Sequence, residues 1–194
     1  FMNINEYDSF YRELDLTTAV AKTSFKANGV DYSREVFTSF VDDVVVVRLT
    51  ASKKNALSFK MYYKTPYTSN VKMSVEKGNI LRFDGKADDH ESIEGKVRFS
   101  SLAKIAKHDG RVTTLGDSVI SVEGASSVVI YVSIGTNFVN YKDVSGNEYE
   151  AALKPLKTAN ANYAKMIANH KAAYSKYFNR VTLDLGRNAQ VDKP

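Results

Sequence analysis

Hydrophobic and polar residues alternate with a period of two along most of the first 136 residues. The alternating segments are rich in Val, Ile, Thr, Phe and Tyr and are separated by short polar turns, which is typical of β-strands. The alternation predicts strands at residues 19–27, 32–37, 44–50, 57–63, 71–75, 80–84, 97–106, 112–115, 118–122 and 128–134. Because no helical segment separates these strands, we expect antiparallel sheets and a mainly β, antiparallel β-sandwich fold.

Three short connections between these strands have the sequences of tight turns. Asn28-Gly29 and Asp109-Gly110 each lie between two predicted strands, and both pairs suit the positive φ angles of a two-residue type I′ hairpin turn. Lys77-Gly78-Asn79 is a slightly longer turn of the same kind. The sequence therefore predicts a hairpin at each of these places.

The period changes to that of a helix in the last quarter of the chain. Apolar and aromatic residues follow one helical stripe, at Tyr163, Met166, Ile167, His170, Tyr174, Tyr177 and Phe178. Asn160 or Thr158 is expected to cap the start of this helix, and Asn179 to end it in a left-handed turn. We expect the stripe to pack back on the sandwich or to mediate self-association.

The residues around this helix complete the predicted domain. Pro155 should separate the helix from a short helix over residues 148–153, and alternation returns over residues 181–185 as a short strand. We therefore expect an antiparallel β-sandwich at residues 1–147. Residues 148–194 are expected to add a linker-type helical segment and a short returning strand, all within the same domain.

Composition narrows the possible functions of the chain. Its 194 residues are 43% hydrophobic and 25% charged, which is ordinary for a globular domain. The absence of cysteine excludes disulfides, thiolate zinc sites and a cysteine nucleophile. No apolar run approaches the roughly 20 residues of a membrane helix, and the first residues lack the pattern of a secretory signal.

A net charge of +5 is mostly dispersed along the chain, with one exception. Residues 151–183 contain no acidic residue, and their basic residues are Lys154, Lys157, Lys165, Lys171, Lys176 and Arg180. A solvated helix face explains this segment most simply. Phosphate binding and an interface with an acidic partner are the alternatives, and we expect no nucleic acid partner.

Motifs of known catalytic and metal sites are missing from the sequence. His90, His108 and His170 lie far apart, without the spacing of a zinc site. Residues 143–147 begin like a calcium loop, but Glu148 and Lys154 occupy the positions that need Gly and Glu. The sequence contains neither a Gly-x-Ser-x-Gly elbow nor a glycine-rich phosphate loop. We therefore predict no catalytic residue, no metal and no cofactor.

Two clusters are candidates for binding. Asp88, Asp89, His90, Glu91 and Glu94 form a polar loop that is either a solvated turn or the lining of a cleft. Within it, Asp89, His90 and Glu91 are the candidate residues for the edge of a substrate cleft.

The second cluster is the aromatic and basic segment at residues 59–67. Its alternation predicts that Phe59, Met61 and Tyr63 face the sandwich core. The alternative is a stand-alone carbohydrate-binding module that stacks exposed tyrosines, such as Tyr62 and Tyr67, on sugar rings.

Four segments together resemble one enzyme family. They are residues 11–19, which include Arg-Glu-Leu-Asp-Leu, residues 29–37, which include Tyr-x-Arg-Glu-x-Phe, residues 43–49 and residues 170–186. In this order and spacing they are similar to the amino-terminal β-sandwich of glycoside hydrolase family 95, the inverting α-L-fucosidases. The resemblance covers nearly the whole chain.

The resemblance implies a super-sandwich domain that precedes a helical linker and a helical barrel. The catalytic acid, aspartate and asparagines of that family belong to the barrel, so none is expected in this chain. We therefore expect an internal, inactive fragment of a periplasmic or secreted bacterial enzyme. Its implied partners are the remainder of that enzyme and, through it, a glycan substrate; no membrane partner is expected.

Overall fold

The computed structural model describes residues 6–184, 186–188 and 190. The strands are β1 (Asp8–Asp15), β2 (Val20–Ala27), β3 (Val30–Ser39), β4 (Val44–Ala51), β5 (Leu57–Met61), β6 (Val71–Glu76), β7 (Ile80–Lys86), β8 (Arg98–His108), β9 (Arg111–Leu115), β10 (Val119–Ala125) and β11 (Ser127–Thr136). Helices α1 (Glu148–Thr158) and α2 (Tyr163–Phe178) follow them. All ten predicted strands are present in the structure.

The strands form two antiparallel sheets, and the predicted β-sandwich is confirmed. The larger sheet has the order β1-β2-β3-β4-β11-β8-β7-β6, and the smaller has the order β5-β10-β9. One buried cluster, which includes Leu57, Ile120 and Ile130, lies between the two sheets. A second cluster, which includes Phe37, Val46 and Met166, lies between the larger sheet and the helices. The domain therefore has three layers, with the larger sheet in the middle.

Strand β1 is the element that the alternation did not predict. It lies at the edge of the larger sheet, and nearly all of its side chains are exposed on both faces. Pairing with β2 holds it in place, and its register shifts between Asp8 and Tyr11. A strand that buries neither face has no reason to alternate, because alternation reports burial of one face.

Two of the predicted tight turns are confirmed. Asn28 and Gly29 have φ angles of 51° and 70°, and they join β2 to β3. Lys77 and Gly78 have φ angles of 50° and 72°, and the amide of Asn79 donates to the Glu76 carbonyl at 3.2 Å. These are the positive φ values that a type I′ turn requires.

The predicted hairpin at Asp109-Gly110 is wrong, because these residues carry the chain from one sheet to the other. Strand β8 belongs to the larger sheet and β9 to the smaller, and neither turn residue has a positive φ angle. Gly110 lets the backbone of the turn lie close to the backbone of β10. A Cβ at this position would lie 2.5 Å from the Glu123 carbonyl oxygen and 2.7 Å from the Ala125 amide nitrogen. The Asp109 carboxylate accepts the Ser126 and Ser127 amides at 2.7 and 2.9 Å, which lowers its pKa.

The prediction that Pro155 separates a short helix at residues 148–153 from the next helix is wrong. Helix α1 continues through Pro155 to Thr158, although proline supplies no amide for the bond to the carbonyl four residues earlier. Ala152, Pro155 and Leu156 are buried against the larger sheet, and Asn147 caps the start by accepting the Glu150 amide at 3.0 Å. The packing of this face outweighs the cost of about 3 kcal/mol for an interior proline.

Helix α2 spans the predicted stripe, but both of its ends differ from the prediction. Asn162 caps the start in place of Asn160 or Thr158, by accepting the Lys165 amide at 3.2 Å. Asn179 has φ −78°, so it ends the helix without a left-handed turn. Residues 181–184 form no strand, which corrects the predicted returning strand; Leu185 lies outside the described residues.

The helices are fastened to the larger sheet by two similar contacts. Tyr163 of α2 donates its hydroxyl to Glu35 at 2.9 Å, and the Arg48 guanidinium lies over its ring at 4.6 Å. Tyr149 of α1 repeats this arrangement by donating to Glu76 at 2.8 Å, with Arg82 over its ring at 4.3 Å. Burial of the Tyr163 phenol and its bond to a carboxylate raise the pKa of that tyrosine.

The apolar stripe of α2 packs back on the sandwich, which is one of the two arrangements that the sequence predicted. Met166 and His170 are buried, and the His170 ring stacks on Phe37 with 4.7 Å between centroids. His170 Nε2 lies 2.9 Å from the Thr18 carbonyl, and Tyr174 donates to the Leu16 carbonyl at 2.8 Å. The far end of the stripe, at Tyr177 and Phe178, stays exposed.

We expect Gly110→Ala to destabilise the domain by about 2 kcal/mol, because the new Cβ would meet backbone atoms that have no freedom to withdraw. Denaturant unfolding followed by circular dichroism measures this change. The matched control is Gly78→Ala, where nothing lies within 4 Å and only the positive φ angle opposes the substitution. A free energy of unfolding for Gly110→Ala above that of Gly78→Ala would contradict the prediction.

We expect the Asp15 carboxylate to make the stability of the domain depend on acidic pH. It accepts the Thr17 amide and the Thr17 and Thr18 hydroxyls at 2.6–2.9 Å, which lowers its pKa from 3.8 to about 2. A lowered folded-state pKa gives stability that is present above pH 3.8 and is lost as the pH falls towards 2. The difference in melting temperature between the natural chain and Asp15→Asn should therefore shrink over this range, and a constant difference would contradict the assignment.

Candidate functional site

The two ends of the larger sheet differ in chemistry. At one end, which we call the loop end, the connections that follow its strands are residues 16–19, 40–43, 87–97 and 137–147, and residues 62–70 enter β6 at the same end. At the other, which we call the hairpin end, they are residues 28–29, 52–56, 77–79 and 109–110. The hairpin-end connections carry no aromatic residue and no apolar side chain larger than alanine. The longer and more varied connections are at the loop end.

The sequence-predicted cleft residues Asp89, His90 and Glu91 lie in the 87–97 connection at the loop end. His90 and Ile93 pair as a small antiparallel bridge, with bonds of 3.0 and 2.8 Å between their backbones. Glu91 and Ser92, with φ angles of 47° and 67°, form the tip of this bridge. The side chains of His90 and Glu91 are 89% and 83% exposed, so the tip projects them into solvent.

The acidic residues of this loop do not converge on one point. The Asp89 carboxylate accepts the Gly95 amide at 3.0 Å, and Asp88 accepts the Asn70 side-chain amide at 2.7 Å. Glu94 pairs with Lys86 at 3.0 Å. Three of the carboxylates therefore shape the loop, and His90 and Glu91 are the groups that it presents outwards.

Asn137 joins the 87–97 loop to the 137–147 loop and was missed by the sequence analysis. It is fully buried, and its side-chain amide donates to the Lys96 carbonyl at 3.0 Å and to the Val144 carbonyl at 2.7 Å. Its side-chain oxygen accepts the Arg98 amide at 2.7 Å. A single polar residue after a strand carries no signal of this role in the sequence, because its partners come from two separate loops.

An ion pair supports the base of the same two loops. Arg98, at the start of β8, forms two hydrogen bonds to Glu148, at the start of α1, at 2.9 and 3.2 Å. This guanidinium lowers the pKa of Glu148. The bonds of Asn137 and of Arg98 therefore hold the two loops and the start of α1 in a fixed relation.

The aromatic segment at residues 59–67 divides as the alternation predicted. Phe59 is buried between the sheets, Met61 and Tyr63 are packed against the same cluster, and Tyr62 and Tyr67 are exposed. Tyr63 also lies 2.8 Å from the Ser101 hydroxyl. The interpretation of Phe59, Met61 and Tyr63 as core residues is confirmed.

A groove of about 380 Å³ opens where the smaller sheet ends and the inner face of the larger sheet is uncovered. Its walls come from β1 to β5, and they are mainly apolar with two arginines: Phe10, Arg12, Phe25, Tyr32, Arg34 and Phe59. Phe25 and Tyr32 stack with 5.1 Å between their centroids. Tyr62 and Tyr67, the tyrosines proposed for sugar stacking, are not among its lining residues.

The described residues contain no group of three or more His, Cys, Asp or Glu side chains placed to hold a metal ion. None of the helices they form is long and apolar enough to cross a membrane. The basic residues of the 151–183 segment are mostly exposed, as expected of a solvated helix face, and Lys157 pairs with Glu150 at 3.8 Å.

Comparisons with known proteins identify the domain. Residues 1–141 match the family described as "Glycosyl hydrolase family 65, N-terminal domain". The chain is 31% identical to Alpha-L-fucosidase 2 from Arabidopsis thaliana over 91% of its own length and 24% of that protein. It is 24% identical to Probable alpha-fucosidase A from Aspergillus niger over 98% of its length and 25% of that protein.

The fold also matches a solved structure. A putative kojibiose phosphorylase from the human microbiome superposes on 87% of this chain, and 23% of its own, with a TM-score of 0.51 and 16% identity. At this identity the likeness concerns the fold alone. The chain thus spans about a quarter of the length of these relatives, and it belongs to the N-terminal domain family of glycosyl hydrolase family 65.

Proposed function

We propose that this chain is the non-catalytic amino-terminal sandwich of a glycoside hydrolase that removes α-L-fucosyl groups from glycans, of the inverting type grouped in family 95. The observation that carries the proposal is the 31% identity to Alpha-L-fucosidase 2 over nearly the whole chain. The second relative is also named as an α-fucosidase. In this proposal the helical barrel that performs the chemistry belongs to the remainder of the enzyme.

The carboxylates of the chain support a non-catalytic role. Glycosidases of this kind need a carboxylic acid with a raised pKa, usually in a dry pocket, and a second carboxylate across the sugar. No Asp or Glu among the described residues is buried. The carboxyl groups with a shifted pKa all shift downwards, because they accept hydrogen bonds or pair with arginine: Asp15, Asp109, Asp143 and Glu148.

The same proposal gives the 87–97 loop a place at the edge of the substrate cleft. Its tip projects His90 and Glu91 from the loop end, while the bond from Gly95 to Asp89 keeps the loop closed. Exposed imidazole and carboxylate groups suit hydrogen bonds to sugar hydroxyls. In the complete enzyme these groups would contact substrate without taking part in bond cleavage.

We expect the isolated chain to release no fucose from a fucosylated oligosaccharide, whereas the full-length enzyme that contains it does. Both proteins are incubated with the same 2′-fucosylated substrate, and free fucose is measured. Fucose release by the isolated chain would overturn the non-catalytic role. Failure of the full-length enzyme on a panel of α-fucosides would overturn the substrate class.

We expect His90→Ala and Glu91→Gln in the full-length enzyme to raise KM severalfold with little change in kcat, because the lost contacts hold substrate without touching the reacting bond. Asp89→Asn keeps an oxygen that accepts the Gly95 amide, so this variant removes the charge at position 89 while it preserves the shape of the loop. Lys53→Ala, at the hairpin end, is the matched control. Unchanged kinetic constants in both His90→Ala and Glu91→Gln would remove the cleft role.

The alternative of a stand-alone carbohydrate-binding module has a separate test. We expect the isolated chain to bind no glycan on an array, since a scaffold domain contacts substrate only as part of the complete site. Binding that is lost in Tyr62→Ala or Tyr67→Ala, and kept in Tyr174→Phe, would favour the module over the scaffold.

A further inference from the structure

The loop end of the larger sheet carries a set of large apolar side chains in its connections, each more than half exposed. We call this set the apolar rim, and its members are Leu16, Phe40, Val41, Ile93, Phe138, Val139 and Tyr141. Single exposed apolar residues are common on protein surfaces, whereas clustered ones mark interaction sites. The hairpin end of the same sheet has none in its connections, so the asymmetry is a property of one end.

The two ends also differ in charge. The connections at the loop end contain the acidic residues Asp42, Asp43, Asp88, Asp89, Glu91, Glu94 and Asp143, against Lys64, Lys96 and Lys142. The connections at the hairpin end contain Lys53, Lys54 and Lys77 against Asp109 alone. A surface that covers the apolar rim therefore needs apolar groups bordered by Lys or Arg side chains.

The rim is supported by fixed structure. Asn137 is buried between the loops that carry Ile93 and Phe138, and it bonds to both of them. Asp42 accepts the Ser39 hydroxyl at 2.7 Å and the Asn160 amide at 3.1 Å, which ties the turn of Phe40 and Val41 to the segment between the helices. Because the backbone of these loops is already fixed, little backbone conformational entropy is lost when a partner covers the rim.

Helix α2 leads the chain to this same end. The Phe37–His170 stack, the bond between His170 and Thr18 and the bond from Tyr174 to the Leu16 carbonyl place the helix across the ends of β3 and β2. Beyond Tyr174, the residues Tyr177, Phe178, Val181 and Leu183 are exposed. Tyr174, which contacts Leu16, lies one helical turn before the end of α2, so polypeptide that follows the helix starts near the rim and can reach it at a small cost in loop entropy.

From these observations, and resting on the proposed function, we infer that the apolar rim is the docking surface for the polypeptide that follows this chain in the longer enzyme. The curated relatives are about four times the length that this chain matches, which leaves ample polypeptide to cover it. The docking face of that polypeptide is apolar with a basic border. Docking there would also bring the His90–Glu91 tip against the remainder of the enzyme.

Thiol labelling tests the docking surface, because the chain contains no cysteine of its own. Val41→Cys and Val139→Cys report on the rim, and Lys53→Cys at the hairpin end is the control. Each variant is labelled both as the isolated chain and within the full-length enzyme, with the modified site assigned by peptide mass. We expect the two rim cysteines to react about tenfold or more slowly in the full-length enzyme, and Lys53→Cys to react at the same rate in both.

Equal labelling rates at the rim in the two proteins would overturn the inference. Protection of the rim in the isolated chain that grows with concentration, together with a dimeric mass by light scattering, would assign the surface to a second copy and would also overturn it. The fucose measurement separates this inference from the proposed function. A protected rim in an enzyme that releases no fucose overturns only the function, and an unprotected rim in an active fucosidase overturns only the docking surface.

Discussion

Strand β11 is buried on both of its faces, and the rest of the domain is arranged around that constraint. Val128 and Ile130 face the smaller sheet, while Val129 and Tyr131 face the helices. Each buried side chain of this size contributes about 1.5–3 kcal/mol only if water is kept from it. A sheet whose central strands are apolar on both sides needs a cover on each side, and a hairpin meander alone supplies none.

The two covers are produced in different ways. Strands β9 and β10 of the smaller sheet arise because the chain leaves the larger sheet at Asp109-Gly110 and returns through Ser126, where the Asp109 carboxylate accepts the Ser126 and Ser127 amides. Strand β5 joins them after the chain leaves β4. The helices are held by buried side chains such as Leu156 and Met166 and by tyrosine hydroxyls bonded to carboxylates of the sheet. Pro155 is tolerated inside α1 because the face on which it lies is one of these covers.

This arrangement leaves one end of the sheet for interaction. Most of the carboxylates there are used in loop hydrogen bonds or ion pairs, namely Asp42, Asp88, Asp89, Glu94 and Asp143, whereas Glu91 projects into solvent from a loop tip. Under the proposed function, the catalytic machinery lies in the remainder of the enzyme. The exposed apolar side chains, the acidic border and the path of α2 all concern the same end, which is why we assign the contact with the remainder of the enzyme to it.

Local pattern was enough to predict the ten alternating strands, the apolar stripe of α2 and the turns at Asn28-Gly29 and Lys77-Gly78, because each depends on side-chain spacing or on φ preferences of one or two residues. It also placed Asp89, His90 and Glu91 in one exposed loop. The tertiary structure alone decided that Asp109-Gly110 changes sheets, that β1 pairs without burying a face, that α1 continues through Pro155, and that Asn137 joins two loops. These features depend on backbone groups and surfaces contributed by segments that are distant in sequence. Such contacts produce no periodic pattern of hydrophobic and polar residues, so the sequence alone does not predict them.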